Sequence, residues 1–313
     1  DYLALWRWPR RIASSNLKDV FGKKRAFNSR RAQSIKCTAS EGLSLYPVLA
    51  YFVQAVLQPS GRCPDMCKAY LLLADVIDML TAVPRGTVTP ARLRRRVRAF
   101  LQGCEAAGWR SRMHPKFHWL VHLPRHLEQH GTLMTCWVHE RKHRMVKRYG
   151  AEMCNTRDYD RSIQSEITCH HLSETSLPGT FSFDVALLEP HPASQRVRGF
   201  LRQELLIDQD FVVSAEARVS AFATCAQRDV VLVSVAGCLE AGEVLLHTEV
   251  GGIPCSLISF WTLREIDVAK GSAEWLTHAS ASRFVYTSSI LHAAIHMTCR
   301  DGVARTLLPC DVR

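Results

Sequence analysis

Val230-Val231-Leu232-Val233-Ser234-Val235 is a short β-prone run, and its rhythm recurs at Gly242–Val250, Cys255–Phe260, Arg283–Thr287, Ile290–Met297 and Val303–Leu307. Turn-forming pairs separate several of these runs, Gly251-Gly252 and Asp301-Gly302 among them. That is the pattern of a small, mostly antiparallel β domain, with Gly251-Gly252 as a hairpin turn and not a nucleotide site. Upstream the rhythm is helical. Ser40 is placed to cap a helix carrying Leu45, Val48, Leu49, Phe52, Val53 and Val56, with Pro47 near its start and Pro59-Ser60-Gly61 at its end. A second helix follows Pro64 and stops before Pro84. Thr89-Pro90 opens a third through Leu93, Val97 and Phe100, and further helices are expected over Asp158–Leu172 and residues 195–207. The expected class is α+β: a mostly helical N-terminal half followed by a β-rich C-terminal one. The expected divisions are a basic lead-in (1–36), a helical region (37–175), a Pro-containing linker (176–194) and a β-rich domain (195–313).

The chain has 313 residues, 47% of them hydrophobic and 22% charged, an ordinary globular composition long enough for two cores. No run of eighteen apolar residues occurs, so no membrane span is expected. The start at Asp1 suggests a segment of a longer reading frame. Twelve cysteines are scattered through apolar runs and read as reduced thiols of an intracellular protein. The formal charge of +11 is unevenly spread. Residues 200–313 hold 9 Lys/Arg against 13 Asp/Glu, which leaves 31 basic and 16 acidic residues in 1–199. Such a reversal points to different partners for the two halves, with a polyanion for the basic one and a protein for the acidic one. Lys23, Lys24, Arg25, Arg30 and Arg31 form one cluster, suited to DNA-backbone contact, to nuclear import, or to a solvated lead-in. Arg94, Arg95 and Arg96 form another, and three consecutive residues cannot share one helix face.

The residues with the most chemistry lie between these halves. His114, His118, His122, His126 and His130 fall at intervals of four, a spacing that stacks imidazoles on one helical stripe and lets a pair hold zinc. Core histidines satisfied by hydrogen bonds are the alternative. Farther on, Glu140, His143, Arg144 and Lys147 share a helix face beside Arg141 and Lys142. An acid among cations stays ionised, which suits a metal ligand, although an exposed salt-bridged face has the same spacing. There is no Gly-x-Ser-x-Gly elbow and no Gly-rich phosphate loop.

The pattern Pro115-Lys116-Phe117-His118-x-Leu120-x-His122-Leu123-Pro124, then Gly131, then Trp137-x-x-Glu140-Arg141-x-His143-x-x-x-Lys147, resembles a block of CACTA-type transposases and their plant relatives. His139 stands where that family has phenylalanine. The resemblance covers roughly residues 110–150, is looser over 1–110 and is faint beyond. It implies the late part of an RNase H-like core with a helical insertion. Such enzymes hold two divalent ions, Mg or Mn, on two aspartates and a glutamate and cleave phosphodiesters. Glu140 matches the last acid. The aspartates belong on early strands, and Asp65, Asp75 and Asp78, in a helical stretch, do not match them. Some relatives carry a structural zinc on a Cys-x-x-Cys pair and a His pair. His118 and His122 match the latter, while Cys63 and Cys67 are spaced one residue too far apart for the former.

Three functions follow as expectations. The first is a fragment of a nuclear cut-and-paste transposase, inactive alone and with possible self-association. The second is a non-catalytic, transposon-derived DNA-binding or interaction protein. The third is a zinc-binding helical protein.

Overall fold

A computed structural model describes residues 2–12, 17–32, 34–133, 146–154, 157–176, 184–220, 223–278, 281–309 and 312. The chain divides into two compact units, one of residues 1–125 with 184–313 and the other of residues 126–183. Helices and sheet of the first unit are therefore joined, where composition had suggested separate domains. The helices are α1 (Lys23–Arg31), α2 (Ala39–Phe52), α3 (Pro64–Ala82), α4 (Pro90–Ala106), α5 (Pro115–His130), α6 (Tyr159–Ser176) and α7 (Gln195–Leu205). Residues 146–152 are also helical.

Local chemistry explains the start of α2 and both ends of α4. The cap of α2 is Thr38 and not Ser40: its hydroxyl accepts from Glu41 N while the Glu41 carboxylate accepts from Thr38 N at 2.7 Å. This is a reciprocal capping box. Thr89 caps α4, and Pro90 sits in the first turn, where a missing N–H costs nothing. Gly108 ends α4 at φ +74, with Trp109 N donating back to Cys104 O at 2.9 Å and Gly108 N to Glu105 O at 3.0 Å. These are the two bonds of a Schellman turn. Helices α3 and α4 approach closely at Gly103, where a Cβ would stand 3.0 Å from Leu72 Cδ1.

The strands are β1 (Trp6–Arg7), β2 (Ala186–Leu188), β3 (His191–Pro192), β4 (Val212–Ser214), β5 (Glu216–Ser220), β6 (Ala223–Ala226) and β7 (Val230–Val235). After them come β8 (Cys238–Val250), β9 (Ile253–Asp267), β10 (Ser272–Leu276), β11 (Ser282–Tyr286), β12 (Ile290–Ala293), β13 (His296–Thr298) and β14 (Val303–Leu307). An 11-stranded sheet runs β1-β13-β14-β10-β9-β8-β4-β3, with β11 on β9 and β7 between β8 and β12, while β2-β5-β6 form a smaller sheet. Every pairing among the described residues is antiparallel, so the α+β class holds. Strands β2 and β3 lie in the stretch read as linker.

Strand β7 lacks a polar alternation because both of its faces are buried. Val231 and Val233 join Val244, Ile258, Phe260 and Ile290, while Val230 and Leu232 join Ala241, Ala273, Trp275 and Leu308. The β8–β9 hairpin turns on Gly251 (φ +57) and Gly252 (φ +81), which gives both central residues the positive φ of a type I′ turn. The basic lead-in is partly structural: Trp6 and Arg7 pair with Met297 and His296, and Trp6, 1% exposed, packs among Val48, Tyr51 and Leu307.

Strands β8 and β9 meet most tightly at Gly242, where a Cβ would lie 2.5 Å from Ser259 O and 2.6 Å from Ile258 Cγ2. Both atoms belong to a buried central strand and have nowhere to go. Gly242→Ala is expected to destabilise the protein by about 1–3 kcal/mol; a denaturant midpoint equal to the parent's would show that the two strands separate at little cost.

Candidate nucleic-acid interface

Helix α4 buries one stripe, Leu93, Val97, Phe100 and Cys104, at helical spacing. The rest of its first two turns is cationic. Arg95, Arg96 and Arg98 are exposed and Arg92 and Arg94 half-buried, with no acid in the first turn. Arg96 is partly neutralised by Asp75 of α3 (Nη1–Oδ2 3.4 Å). Arg95 and Arg98 make no ion pair among the described residues. Positive charge at the positive end of a helix dipole is unfavourable until an anion arrives there.

Helix α1 presents a second basic patch. Lys23, Lys24, Arg30 and Arg31 are exposed. Arg25, grouped with them on sequence, plays a structural part, since its guanidinium donates twice to the Glu41 carboxylate, both bonds at 2.9 Å. The Arg25 guanidinium and the Thr38 amide together hold the Glu41 carboxyl down at about 2. Arg25 thus ties α1 to the capping box of α2, with its guanidinium already paired.

Glu140, Arg141, Lys142 and Arg144 lie outside the described residues. Lys147, in the second unit, is exposed and lines a cleft of about 810 Å³ with Tyr159, Asp160, Ile163 and Ile167. Two of the three helical aspartates are accounted for without catalysis. Asp78 is buried and accepts from Tyr46 Oη at 2.6 Å, and Asp75 pairs with Arg96.

Of the five histidines spaced by four, His118 and His122 face one another most closely. Both are exposed, with Nε2 atoms 3.1 Å apart and rings nearly perpendicular at 80°. One ring donates and the other accepts. Two imidazoles on tetrahedral zinc stand about 3.3 Å apart, given Zn–N bonds of about 2.0–2.1 Å, so the pair has the spacing of half a site. Among the described residues no third His, Cys, Asp or Glu joins it. Cys63 and Cys67 do not: Cys67 is buried, its Sγ 3.5 Å from Arg62 O.

A cluster that the sequence reading missed lies inside the sheet. His247 Nδ1 is 2.8 Å from Ser256 Oγ, which is 2.9 Å from Thr287 Oγ1, and His247 Nε2 is 3.7 Å from Cys225 Sγ. Thiol, imidazole and orienting hydroxyl are the parts of a nucleophilic triad. Burial rules out that chemistry. His247, Ser256 and Thr287 are fully inaccessible, and desolvation drives the two key groups away from an ion pair. It lowers His247 from 6.5 to about 4 and raises the Cys225 thiol to about 12. The cluster is a satisfied, neutral polar core. No linear motif reveals it, because its members come from β6, β8, β9 and the turn after β11.

No family model, curated protein or solved structure matches this chain.

Two outcomes follow. His247, and His296, which burial likewise lowers to about 4, stay neutral in the folded chain while the unfolded chain protonates them near 6.5. Below pH 6.5 the unfolded state binds more protons, so stability is full above that value and falls as pH drops towards 4, by up to about 3 kcal/mol per imidazole. Melting temperatures measured across this window should show His247→Gln with a shallower slope than the parent, and equal slopes would exclude His247 as the source. Separately, zinc titrated calorimetrically near neutral pH should give binding heat that the double variant His118→Ala, His122→Ala loses. Heat undiminished in that variant would place the metal elsewhere.

Proposed function

We propose that this chain is a DNA-binding part of a transposon-derived protein, gripping the phosphate backbone through the first two turns of α4 with help from α1. The observation that carries the reading is the arginine surface along the first half of α4, where Arg95 and Arg98 stand exposed and, among the described residues, without an ion pair. Arginine at this density releases counterions on meeting DNA, and the affinity gained is independent of base sequence.

The parent activity belongs to the same proposal: cut-and-paste transposition, with Glu140 as the last acid holding divalent Mg or Mn in an RNase H-like core. Trp6–Arg7 is the sole strand preceding Glu140 among the described residues, and its one pairing is antiparallel. Cleavage is accordingly assigned to a full-length parent and backbone binding to this chain. Nuclear residence and self-association are part of this proposal, as is a protein partner for the acidic C-terminal half. Zinc on His118 and His122 is the second reading, favoured by their 3.1 Å Nε2 separation.

The test is a titration of the chain with a short duplex over a range of salt. Binding should weaken steeply with salt, and Arg95→Gln with Arg98→Gln should lower the log–log slope by about 2 while weakening all sequences alike. A slope unchanged in the double variant would take α4 out of the interface.

A further inference from the structure

Where α3 begins, α4 ends and α5 begins, the first unit holds a cavity of about 550 Å³ lined by Met66, Ala107, Gly108, Trp109, Arg112 and Phe117. Its construction is specific. The Schellman turn at Gly108 reverses the chain and fixes Trp109 against the end of α4 through its bond to Cys104 O. A 3-10 turn over Arg110–Arg112 follows, closed by Arg112 N donating to Trp109 O at 2.8 Å, and carries Arg112 back to the same wall. Phe117 is held from behind, its ring stacked on buried Phe100 at 5.9 Å and 18°. Met66, 47% exposed, supplies the wall from α3.

Two aromatic rings, a thioether and a guanidinium make a surface for something flat, apolar on its faces and close to negative charge. The elements that form the cavity are cationic around it: Arg62 and Lys68 flank Met66, and Arg110 and Lys116 flank Trp109 and Phe117, all four exposed, against Asp65 and Glu105. A base within a duplex offers no free face. An unstacked base in a single strand offers both faces, with a phosphate on either side, and such bases are held by aromatic stacking within basic grooves. Arginine serves both moieties, since its planar fork stacks on rings and pairs with phosphates.

We propose that this cavity receives an unpaired base of single-stranded nucleic acid, with Trp109 as the stacking surface and Arg112, Arg110 and Lys116 on the adjoining backbone. The inference rests on the DNA-binding reading and adds a second mode to it: α4 holds duplex, and the α3–α4–α5 junction holds a melted strand beside it.

The experiment is fluorescence anisotropy of the whole chain with a labelled oligothymidylate and, separately, a labelled duplex of equal length. Trp109→Ala should weaken oligothymidylate binding at least about tenfold, the scale of one lost base–aromatic stack, and leave duplex binding within about twofold. Trp109→Phe, which keeps a ring, should restore most of the single-strand affinity. Arg112→Gln provides the same comparison should Trp109→Ala fail to fold, and should weaken the single strand more than the duplex. Single-strand binding unaltered in Trp109→Ala and Arg112→Gln overturns the inference, as does a parent chain that binds duplex alone. In either case duplex binding, with its loss in the Arg95 and Arg98 variant, leaves the α4 reading standing. A parent chain that binds neither oligonucleotide overturns both.

Discussion

Trp6 is the side chain on which the first unit depends. Its backbone extends the sheet by pairing with Met297, while its indole fills the space between α2 and β14 in edge contact with Tyr51 at 5.4 Å. Helices and sheet thus share a core built around a residue near the start of the chain, with Val48 and Tyr51 of α2 and Leu307 of β14 in the same cluster. Neighbouring anchors depend on the same placement: Arg10 N donates to buried Asp229 at 2.8 Å, and Arg11 pairs with Glu216. Losing an aromatic side chain from such a site costs about 3–5 kcal/mol, a large part of the stability of an ordinary domain. The basic opening segment is thereby divided in use. Its first residues hold the fold, and its cations from Lys23 onward face solvent, Arg25 excepted.

The readability of each element follows from how local its causes are. Helix α4 is visible in the sequence because Thr89-Pro90 and the Leu93–Val97–Phe100 stripe are local signals. Strands β7 and β14 fall on the residues that their apolar runs mark, Val230–Val235 and Val303–Leu307. The capping box of α2 is written in Thr38-Ala39-Ser40-Glu41, although Ser40 has the same capping chemistry two residues on and competes with Thr38 for the role. Strand β3 is hidden because it is two residues long and ends in Pro192, and β10 because Ser272–Leu276 shows no long apolar run. The join between helices and sheet is illegible altogether, since it rests on contacts between residues at opposite ends of the chain.

The same distinction governs the charged residues. Spacing alone groups Arg25 with Arg30 and Arg95 with Arg96. What separates them is the acid that the fold brings near: Glu41 beside Arg25 and Asp75 beside Arg96. A cation with a partner of its own has already surrendered hydration and gains less from a phosphate. Arg95 and Arg98 keep that capacity. Composition locates the basic half, but tertiary pairing decides which of its cations are already neutralised.

Histidines make the contrast sharper. His118 and His122 are exposed neighbours on one helix, their Nε2 atoms within hydrogen-bond reach of each other. His247 has a thiol on one nitrogen and a hydroxyl on the other, assembled from three strands and sealed from water. By its parts the second arrangement looks more like an enzyme. A reacting group must nevertheless change charge, and inside this sheet desolvation holds both thiol and imidazole neutral far beyond the physiological range. These polar groups of the sheet are satisfied by one another and have nothing left to offer a ligand. The unspent chemistry lies on the helical surface of the first unit, where Arg95 and Arg98 of α4 make no ion pair among the described residues and the turn after it opens an aromatic cavity among cations. A polyanion with exposed bases matches both features at once, whereas an apolar ligand matches the cavity alone.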